Sequence, residues 1–496
     1  MIVVISVFLF TAMLPMGTRG ESAAASWHCS GIAALEADTN LTSLNKVLAS
    51  PKSIAFREFA LDRLSGLLSQ AWRLGPHSVS LLSPLLADSL NNESCAAFSA
   101  EDPAKAGFVL AVRMDSQKSK AWQEALAKAF GSPGEQFTAE QFTGRRWDKA
   151  SSGPFWIIPA HGWLLAGRGE KLASVQSQYL KEINRHGRPV VALAGIWLEG
   201  DLDLNALASF LPDWVKLLKP GKIHIRAAPG ADKLEVNATV IYPSAISWNS
   251  KPWKLPKELV QNPLVSFTAG RDLAAFLQIN PPFSNFDANP LTNQFCAWAI
   301  GQMPLQTYMT WPVSNATNAM TNLAAELRPV VNPILKNLNG TQLLWQPERE
   351  RLVWSNLRVV APEIQPARPL KDYLLLSLFP RPPFGKPAPE DLWRQLEGGG
   401  NVVYYDWEMT GARLQEWRLL SGMLWFRPGK HNNESDSGLA VKYELLGELG
   451  NGIGKTVTEI TRTAPNELSI VRQGPLGLTG LEIVLLSDWL TAAGPQ

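Results

Sequence analysis

The feature that most constrains the fold of this chain is a strict alternation of apolar and polar residues on both sides of Pro229-Gly230-Ala231-Asp232. The apolar positions are Ile223, Ile225, Leu234, Val236, Ala238 and Val240, and the polar positions between them are Lys222, His224, Arg226, Glu235, Asn237 and Thr239. Successive side chains of a strand point to opposite faces, so the alternation predicts a hairpin with one buried and one solvated face. One-sided burial of this kind is typical of antiparallel sheets.

Two further segments repeat the hairpin pattern. TQLLWQ and ERLVWS flank a turn at Pro347-Glu348, and KTVTEITRT and ELSIVRQ flank a turn at Pro465-Asn466. Proline and asparagine are typical turn residues because they fix or tolerate the backbone angles that a turn needs. Together with the helical segments described next, the hairpins predict an α+β fold with mainly antiparallel sheets.

A unit of strand, polar cap and helix recurs along the chain. Its four occurrences are GFVLAVRM (107–114) with a cap at Asp115 or Ser116 and a helix through Phe130, VVALAGIWLEG (190–200) with a cap at Asp201 or Asp203, PLVSFTAGRDLAAFL (263–277) and NVVYYDWEMTGARLQEWRLL (401–420). Short polar side chains cap helices by accepting hydrogen bonds from free backbone N–H groups. The recurrence predicts an internally duplicated architecture, although its irregular spacing argues against a solenoid.

The N-terminal part of the mature chain has a different pattern. From Cys29 to about Leu90 apolar residues recur every three or four positions, and Gly75-Pro76 separates two helices. We therefore divide the chain into a signal peptide (1–25), a helical segment (26–100), a first α+β unit (101–245) and a second α+β unit (246–496). The second unit contains a proline-rich excursion at residues 362–389, whose apolar run DYLLLSLF predicts an ordered strand.

The N-terminus predicts export. Residues 2–16 form an uncharged apolar stretch, which is followed by the small residues Ala23-Ala24-Ala25. This is the layout of a secretory signal, with cleavage after Ala25 or Gly20, and the stretch is too short for an ordinary spanning helix. No Lys or Arg precedes it, so a retained N-terminal anchor is the alternative. The large residues Trp27 and His28 before Cys29 disfavour a lipid anchor on that cysteine.

Composition excludes several functions. The net charge is +2, charged residues make up 18% of the chain, and lysines and arginines are scattered singly. We therefore expect no nucleic-acid partner, and membrane contact only through an uncleaved signal segment. The three cysteines, Cys29, Cys95 and Cys296, are far apart in sequence, so one disulfide with one free thiol is possible and their pairing stays open.

Two loops imitate known ligand-binding motifs. GELGNGIGKT (447–456) ends like a phosphate loop, but the required first glycine is Leu449, and a helix precedes the loop where a strand should stand. Glu199, Asp201, Asp203 and Asn205 imitate a calcium loop, but Ala206 and Pro212 replace its obligatory glycine and glutamate. We interpret the first loop as a helix end and the second as a helix cap.

No sequence motif identifies a catalytic site. The six histidines, His28, His77, His161, His186, His224 and His431, are dispersed without zinc spacing, so we expect solvated or structural roles for them. The nucleophile elbow G-x-S-x-G does not occur. Asp406 and Glu408 share one face of a strand and would suit a carboxylate pair of the glycosidase type, but we favour a solvated sheet face for both.

Tryptophan is unusually frequent, with 19 Trp against 7 Tyr. Several lie in predicted strands or turns: Trp156, Trp163, Trp197, Trp311, Trp345, Trp354 and Trp407. Indoles fill cores well, and they also line grooves for sugars, lipids or partner chains. We favour the core and keep a functional aromatic surface as the alternative.

The segments GWLLAGRGEKLASV, WLEGDLDLNALASFLP and TRTAPNELSIVRQGPLGLTGLEIVLLSDWL resemble uncharacterised exported bacterial proteins. The resemblance is one of pattern, and it implies no functional residue. We expect an exported, non-catalytic binding or structural protein of the periplasm, the cell envelope or the medium, which presents an apolar or aromatic surface to a lipid, glycan or protein. We assign no catalytic, cofactor-binding or metal-binding residue. The alternatives are a polymer hydrolase with dispersed catalytic residues and an anchored subunit of a larger assembly.

Overall fold

A computed structural model describes residues 23–72, 74, 77–99, 107–148, 154–169, 172–208, 221–246, 248, 251–272, 293–301, 306–335, 341–357, 360–379, 386–425 and 435–491. Residues 1–22 of the predicted signal peptide, His431 and residues 273–277 of the recurring unit at 263–277 lie outside the described residues.

The helices are α1 (Ile32–Glu36), α2 (Thr42–Leu48), α3 (Pro51–Ala71), α4 (Ser78–Asn91), α5 (Ser116–Ala129), α6 (Ala173–His186), α7 (Ala316–Leu335), α8 (Glu390–Glu397), α9 (Thr410–Trp425), α10 (Ser435–Gly452) and α11 (Gly480–Thr491). Among the described residues, no helix combines the length and the apolar character that crossing a membrane requires.

The strands of the first half of the chain are β1 (Ala25–Cys29), β2 (Ser94–Ser99), β3 (Gly107–Arg113), β4 (Glu135–Ala139), β5 (Phe142–Trp147), β6 (Phe155–Ala160), β7 (Trp163–Arg168), β8 (Leu198–Asp203), β9 (Lys222–Gly230) and β10 (Lys233–Ile241). Those of the second half are β11 (Gln261–Asn262), β12 (Leu264–Arg271), β13 (Gln294–Ile300), β14 (Thr307–Pro312), β15 (Leu343–Gln346), β16 (Arg351–Trp354), β17 (Glu363–Pro366), β18 (Tyr373–Ser377), β19 (Lys386–Pro387), β20 (Val402–Met409), β21 (Lys455–Ala464) and β22 (Glu467–Gly474).

Twenty of these strands form one continuous sheet, and β11 and β19 form a separate pair. The order across the sheet is β4-β5-β6-β7-β3-β2-β1-β8-β9-β10-β22-β21-β20-β12-β13-β14-β18-β17-β16-β15, and every neighbouring pair is antiparallel. The predicted α+β fold with mainly antiparallel sheets is confirmed.

The sheet consists of two halves with the same topology. Counted outward from the middle, the first half runs β10, β9, β8, β1, β2, β3, β7, β6, β5, β4, and the second runs β22, β21, β20, β12, β13, β14, β18, β17, β16, β15. Helix α5 follows β3 as α7 follows β14, and α6 follows β7 as α8 follows β18. The duplication that the recurring units predicted is therefore present, with a unit of ten strands.

The two halves are joined by the pairing of β10 with β22. The register runs from Leu234 opposite Gly474 to Ile241 opposite Glu467. Each of these strands is the second strand of a predicted hairpin, and their turns lie at Ala231-Asp232 and Pro465-Asn466 as expected. In isolation each half would expose this strand as a sheet edge with unpaired backbone groups.

Helices cover both faces of each half. Adjacent residues of β2 point to different cores: Ala96 packs with residues of α1 to α5, and Cys95 packs with residues of α6. In the second half, Leu374 packs with α7 and Tyr373 with α8. Between α6 and α8 the central strands present the polar face predicted for the first hairpin, where Glu199 contacts Arg226 and Asp201 contacts His224.

One predicted strand is partly wrong. The run from Val190 to Gly200 was expected to be a strand, but β8 begins only at Leu198, and Val191 and Leu193 are exposed. Gly195 adopts a φ of +77°, a conformation outside the β region that favours glycine and interrupts a strand. The hydrophobic run therefore crosses the surface before it enters the sheet.

Strands β1 and β2 were not predicted, because they are short and lack alternation. They flank the helical segment α1 to α4, so that segment is an insertion between two neighbouring strands.

The predicted boundary at residue 246 lies between two strands of the sheet, since β10 ends at Ile241 and β12 begins at Leu264. β18 lies between β14 and β17, so the apolar run of the proline-rich excursion is inside the sheet. The domain boundaries themselves stay predictions.

The position of β1 discriminates between the two predicted cleavage sites. The Ala24 N–H donates to the Phe98 carbonyl at 2.7 Å, the Asp203 N–H donates to the Ala24 carbonyl at 2.8 Å, and Ala24 and Ala25 are buried. Cleavage after Ala25 would remove these bonds and place a charged amine in the sheet. We expect N-terminal sequencing of the mature protein to begin at Glu21, after Gly20. A mature N-terminus at Ser26 would contradict this.

Candidate functional site

An apolar cavity of ≈ 150 Å³ lies between the middle of the sheet and the helices above it. Its sheet side is formed by Trp197 and Leu234. Its helical walls are formed by Ile32, Leu35, Leu44, Val47, Leu48, Ser53, Phe56, Arg57, Ala60, Leu61, Leu64, Leu90, Leu445, Leu449, Ile483, Leu486, Ser487 and Leu490, and the loop between β22 and α11 adds Leu476 and Leu478. The cavity is thus at the seam between α1 to α4 of the first half and α10 and α11 of the second.

The local sequence explains the longest wall. Helix α3 begins at Pro51, and the Ser50 hydroxyl accepts a hydrogen bond from the Ser53 N–H, as in a standard N-cap. Phe56, Ala60 and Leu64 follow at four-residue spacing and line the cavity from one face of the helix. Ala60 is the smallest of the three, and its short side chain leaves part of the space open.

The polar groups in the lining are few. The Ser487 hydroxyl donates to the Val484 carbonyl at 2.8 Å, so it is satisfied within its own helix. Ser53 and Arg57 lie one turn apart on α3, and Arg57 is the one charged residue of the lining. A cavity of this size with Leu, Ile and Phe walls stays dry and holds one small apolar molecule.

Helix α11, which forms the opposite wall, is held by polar contacts along its length. The Glu408 carboxylate accepts a hydrogen bond from the Gly480 N–H at 2.7 Å, at the start of the helix. Glu482 pairs with Arg472 of β22 at 2.7 Å. Asp488 forms an ion pair with Lys442 of α10, whose side chain is 2% exposed. The hydrogen bond from Gly480 to Glu408 satisfies one of the free N–H groups at the start of α11.

The solvated face predicted for Asp406 and Glu408 is wrong. The two carboxyl groups do share one face of β20, but their residues are 8% and 5% exposed, because α9 packs on this part of the sheet and α11 starts above it. The Thr268 hydroxyl donates to Asp406 at 2.6 Å. Burial raises the pKa of both carboxyl groups, against the lowering effect of these hydrogen bonds.

This burial also bears on the carboxylate pair of the hydrolase alternative. Neither Asp406 nor Glu408 lines the cavity. Each accepts a hydrogen bond that fixes the structure, from a neighbouring strand or from the start of α11. A glycosidase pair must instead flank a substrate and a water molecule.

The first of the two loops that imitate ligand sites ends a helix, as expected, and the second is a turn at the end of β8. Residues 447–452 end helix α10, and Lys455 begins β21, so helix and strand stand in the reverse of the phosphate-loop order. Asp203 accepts hydrogen bonds from the N–H groups of Asn205 and Ala206 within this turn, and the chain beyond residue 208, where the capped helix was expected, lies outside the described residues. No cluster of three potential metal ligands occurs among the described residues.

The described histidines are separate from one another. His28 is buried and contacts Glu93 at 3.2 Å, while His77 and His161 are exposed. His186 ends α6 beside Gly187, whose φ of +73° is typical of a helix C-cap.

The cysteines Cys29, Cys95 and Cys296 are all free and buried, and burial raises the pKa of each thiol. Buried thiols with raised pKa values are poor nucleophiles.

The tryptophans serve mainly as core. Trp156, Trp163, Trp197 and Trp311 are buried, and Trp345, Trp354 and Trp407 are half-buried against the cores of the second half. The Trp163 indole donates to the Gly187 carbonyl at 2.9 Å, and the Trp197 indole donates to the Gly31 carbonyl at 2.8 Å.

The sequence did not single out the cavity, because its lining combines residues that are hundreds of positions apart. Two features of the sequence could have pointed to the cavity. They are the apolar residues at three- and four-residue spacing in α3 and the apolar composition of α11.

Comparison with known proteins gives little similarity. No protein-family model matches the sequence, and no curated protein is significantly similar to it. Crystal form I of TP0453 shares 10% identity at a TM-score of 0.22, over 48% of this chain and 80% of that chain. Crystal form III of TP0453 shares 12% identity at a TM-score of 0.23, over 50% of this chain and 82% of that chain. Similarity at this level supports no statement about the function.

The buried carboxyl groups predict a pH dependence of stability. Because their pKa values are raised, the folded chain holds these two protons more tightly than the unfolded chain. The free energy of unfolding therefore falls as pH rises through the interval between the ordinary and the raised pKa of each group. We expect Asp406→Asn and Glu408→Gln each to reduce this slope, measured by urea unfolding between about pH 4 and 8. Asp391→Asn on the surface of α8 is the control, and an unchanged slope in the first two variants would contradict the interpretation.

The ion pair between α10 and α11 predicts an asymmetric response to substitution. Asp488→Asn leaves the buried Lys442 ammonium without its partner and is expected to cost about 3 kcal/mol of unfolding free energy. Lys442→Met leaves Asp488, whose side chain is 28% exposed, in contact with water and is expected to cost less than about 1 kcal/mol. Equal losses in chemical denaturation would refute this explanation of how α11 is held.

Proposed function

We propose that this protein is an exported, non-catalytic binding protein that takes up a small apolar ligand in the cavity between α3 and α11. The observation that carries the proposal is the lining, which is apolar apart from Ser53, Arg57 and Ser487. Apolar walls with a few polar groups are typical of small-molecule sites, because the walls supply affinity and the polar groups orient the ligand.

The chemistry around the cavity supports binding over catalysis. Acid–base catalysis requires two titratable groups that converge on the reacting atoms. Arg57 is the one charged residue in the lining, so a second titratable group does not converge with it there. The buried carboxyl groups of β20 lie outside the cavity and are engaged with Thr268 and the start of α11.

The energetics also support an occupant. An empty cavity costs ~24 cal/mol per Å³ in lost packing, which for this volume is about 4 kcal/mol. A ligand with a six-carbon chain gains ~0.8 kcal/mol for each buried methylene, which corresponds to a dissociation constant on the order of 1 mM. Binding experiments therefore need ligand in the millimolar range.

Export is the second part of the proposal. It is supported by the uncharged apolar stretch at residues 2–16 and the small residues that follow it. The protein would then act in the periplasm, in the cell envelope or in the medium. Cell fractionation with a cytoplasmic marker tests the location independently of ligand binding.

The cavity is tested by filling it. In Ala60→Phe the added phenyl ring has the size of the benzene that a cavity of this volume accepts. We expect this variant to abolish binding of 1-hexanol, measured by calorimetry, and to leave the melting temperature unchanged or raised. Native mass spectrometry of the protein purified from its host should show a small bound apolar molecule that the variant lacks.

The matched control is Ala319→Phe on α7, where the side chain packs in a filled core. There the same change should destabilise the fold by about 1 to 3 kcal/mol and leave hexanol binding intact. If the protein binds no hexanol and carries no ligand from its host, or if Ala60→Phe binds as the unchanged protein does, the proposed function is wrong.

A further inference from the structure

We propose that the ligand of this cavity is an anionic amphiphile whose carboxylate or phosphate pairs with Arg57 while its short apolar part fills the cavity. This inference rests on the proposed function and names the chemical class of the ligand. It is carried by the position of Arg57, by the weak contact of its guanidinium and by the size of the cavity.

Arg57 lies where the cavity meets the solvent. Arg57 lines the apolar space, yet its side chain remains 33% exposed. Ser53 lines the same wall one helical turn earlier, so a hydroxyl and a guanidinium stand side by side at this edge. A ligand with a polar head and an apolar tail matches this arrangement, because its head stays hydrated while its tail is buried.

The guanidinium of Arg57 is only weakly engaged. Among the described residues, the carboxylate within ion-pair distance of it is that of Glu36, with 3.7 Å between Nη1 and Oε1. This separation is too long for a hydrogen bond, and the Glu36 side chain is 47% exposed. Such solvated pairs contribute little to stability. The donors of Arg57 are therefore available to an anionic head group that competes with Glu36.

The charge of Arg57 decides between classes of amphiphile. A planar guanidinium binds a carboxylate or a phosphate through two parallel hydrogen bonds, which are stronger than bonds between neutral groups. An ammonium head group at the same place would meet a like charge. A neutral alcohol would keep the contribution of its tail and lack that of the ion pair.

The volume limits the tail. With the head group at the edge, the apolar part must fit into ≈ 150 Å³, which is the space of a single ring or a short alkyl chain. Long acyl chains would require α3 and α11 to separate. We therefore expect the affinity for alkyl carboxylates to rise with chain length from four carbons and to level off once the alkyl chain fills the cavity.

The test compares three six-carbon probes that differ in charge. Hexanoate, 1-hexanol and hexylammonium are titrated into the full mature chain at low salt and pH 7, with calorimetry or NMR as the readout. We expect hexanoate to bind about five- to tenfold more tightly than hexanol, and hexylammonium to bind most weakly. Hexyl phosphate in the same series shows whether a phosphate or a carboxylate is preferred.

Two substitutions at the edge should act in opposite directions. Arg57→Gln should abolish the preference for the anion, so that this variant binds hexanoate no more tightly than it binds hexanol. Glu36→Gln should raise the affinity for hexanoate about two- to threefold, because it removes the competing carboxylate. Arg394→Gln on α8, which removes a surface guanidinium that is also paired with a glutamate, is the control and should change neither affinity.

The outcomes separate this inference from the proposed function. If hexanol binds and Ala60→Phe abolishes its binding, but hexanoate binds no better and Arg57→Gln changes nothing, the anionic head group is wrong and the apolar site stands. If none of the probes binds, both proposals fail. Tighter hexanoate binding that Arg394→Gln weakens as much as Arg57→Gln would reflect overall charge and would also overturn the inference.

Discussion

The antiparallel pairing of β10 with β22 is the interaction on which the rest of the structure depends. Each half of the chain is a ten-stranded sheet that ends, at the middle of the molecule, in the second strand of a hairpin. An exposed strand edge is costly because its backbone N–H and C=O groups lack partners and recruit other chains. The pairing from Leu234–Gly474 to Ile241–Glu467 satisfies both edges at once and makes the two halves one sheet.

Joining the halves also places two unlike groups of helices over the same strands. In the first half, α1 to α4 are inserted between β1 and β2, and in the second half α9 to α11 follow β20 and β22. Helices α3 and α10 pack against each other above the junction, and α11 contacts both. The cavity lies at this seam. It is a property of the joined molecule, since residues from both halves line it.

The polar residues around α11 show how a helix is attached to a sheet whose covered face includes polar side chains. Asp406, Glu408, Thr268 and Arg472 lie under the start of α11, and Lys442 lies near its end. Buried polar groups are tolerated when they are hydrogen-bonded, and they then fix one arrangement of the elements. Burial raises the pKa of the two carboxyl groups, so folding of the whole chain is favoured at mildly acidic over neutral pH by these two groups.

The sequence by itself determined several of the elements. The alternation around Ala231-Asp232 gave the hairpin and its faces, Asp115 marked the start of α5, and the recurring units indicated a duplication, because period and capping are local properties of the chain. Tertiary structure decided the rest. It buried Asp406 and Glu408, which alternation alone placed in water, because helices that follow later in the chain cover that face. It likewise brought Arg57, Ala60 and Leu490 around one cavity, which no spacing in the sequence encodes, since their proximity depends on strands that pair across the two halves.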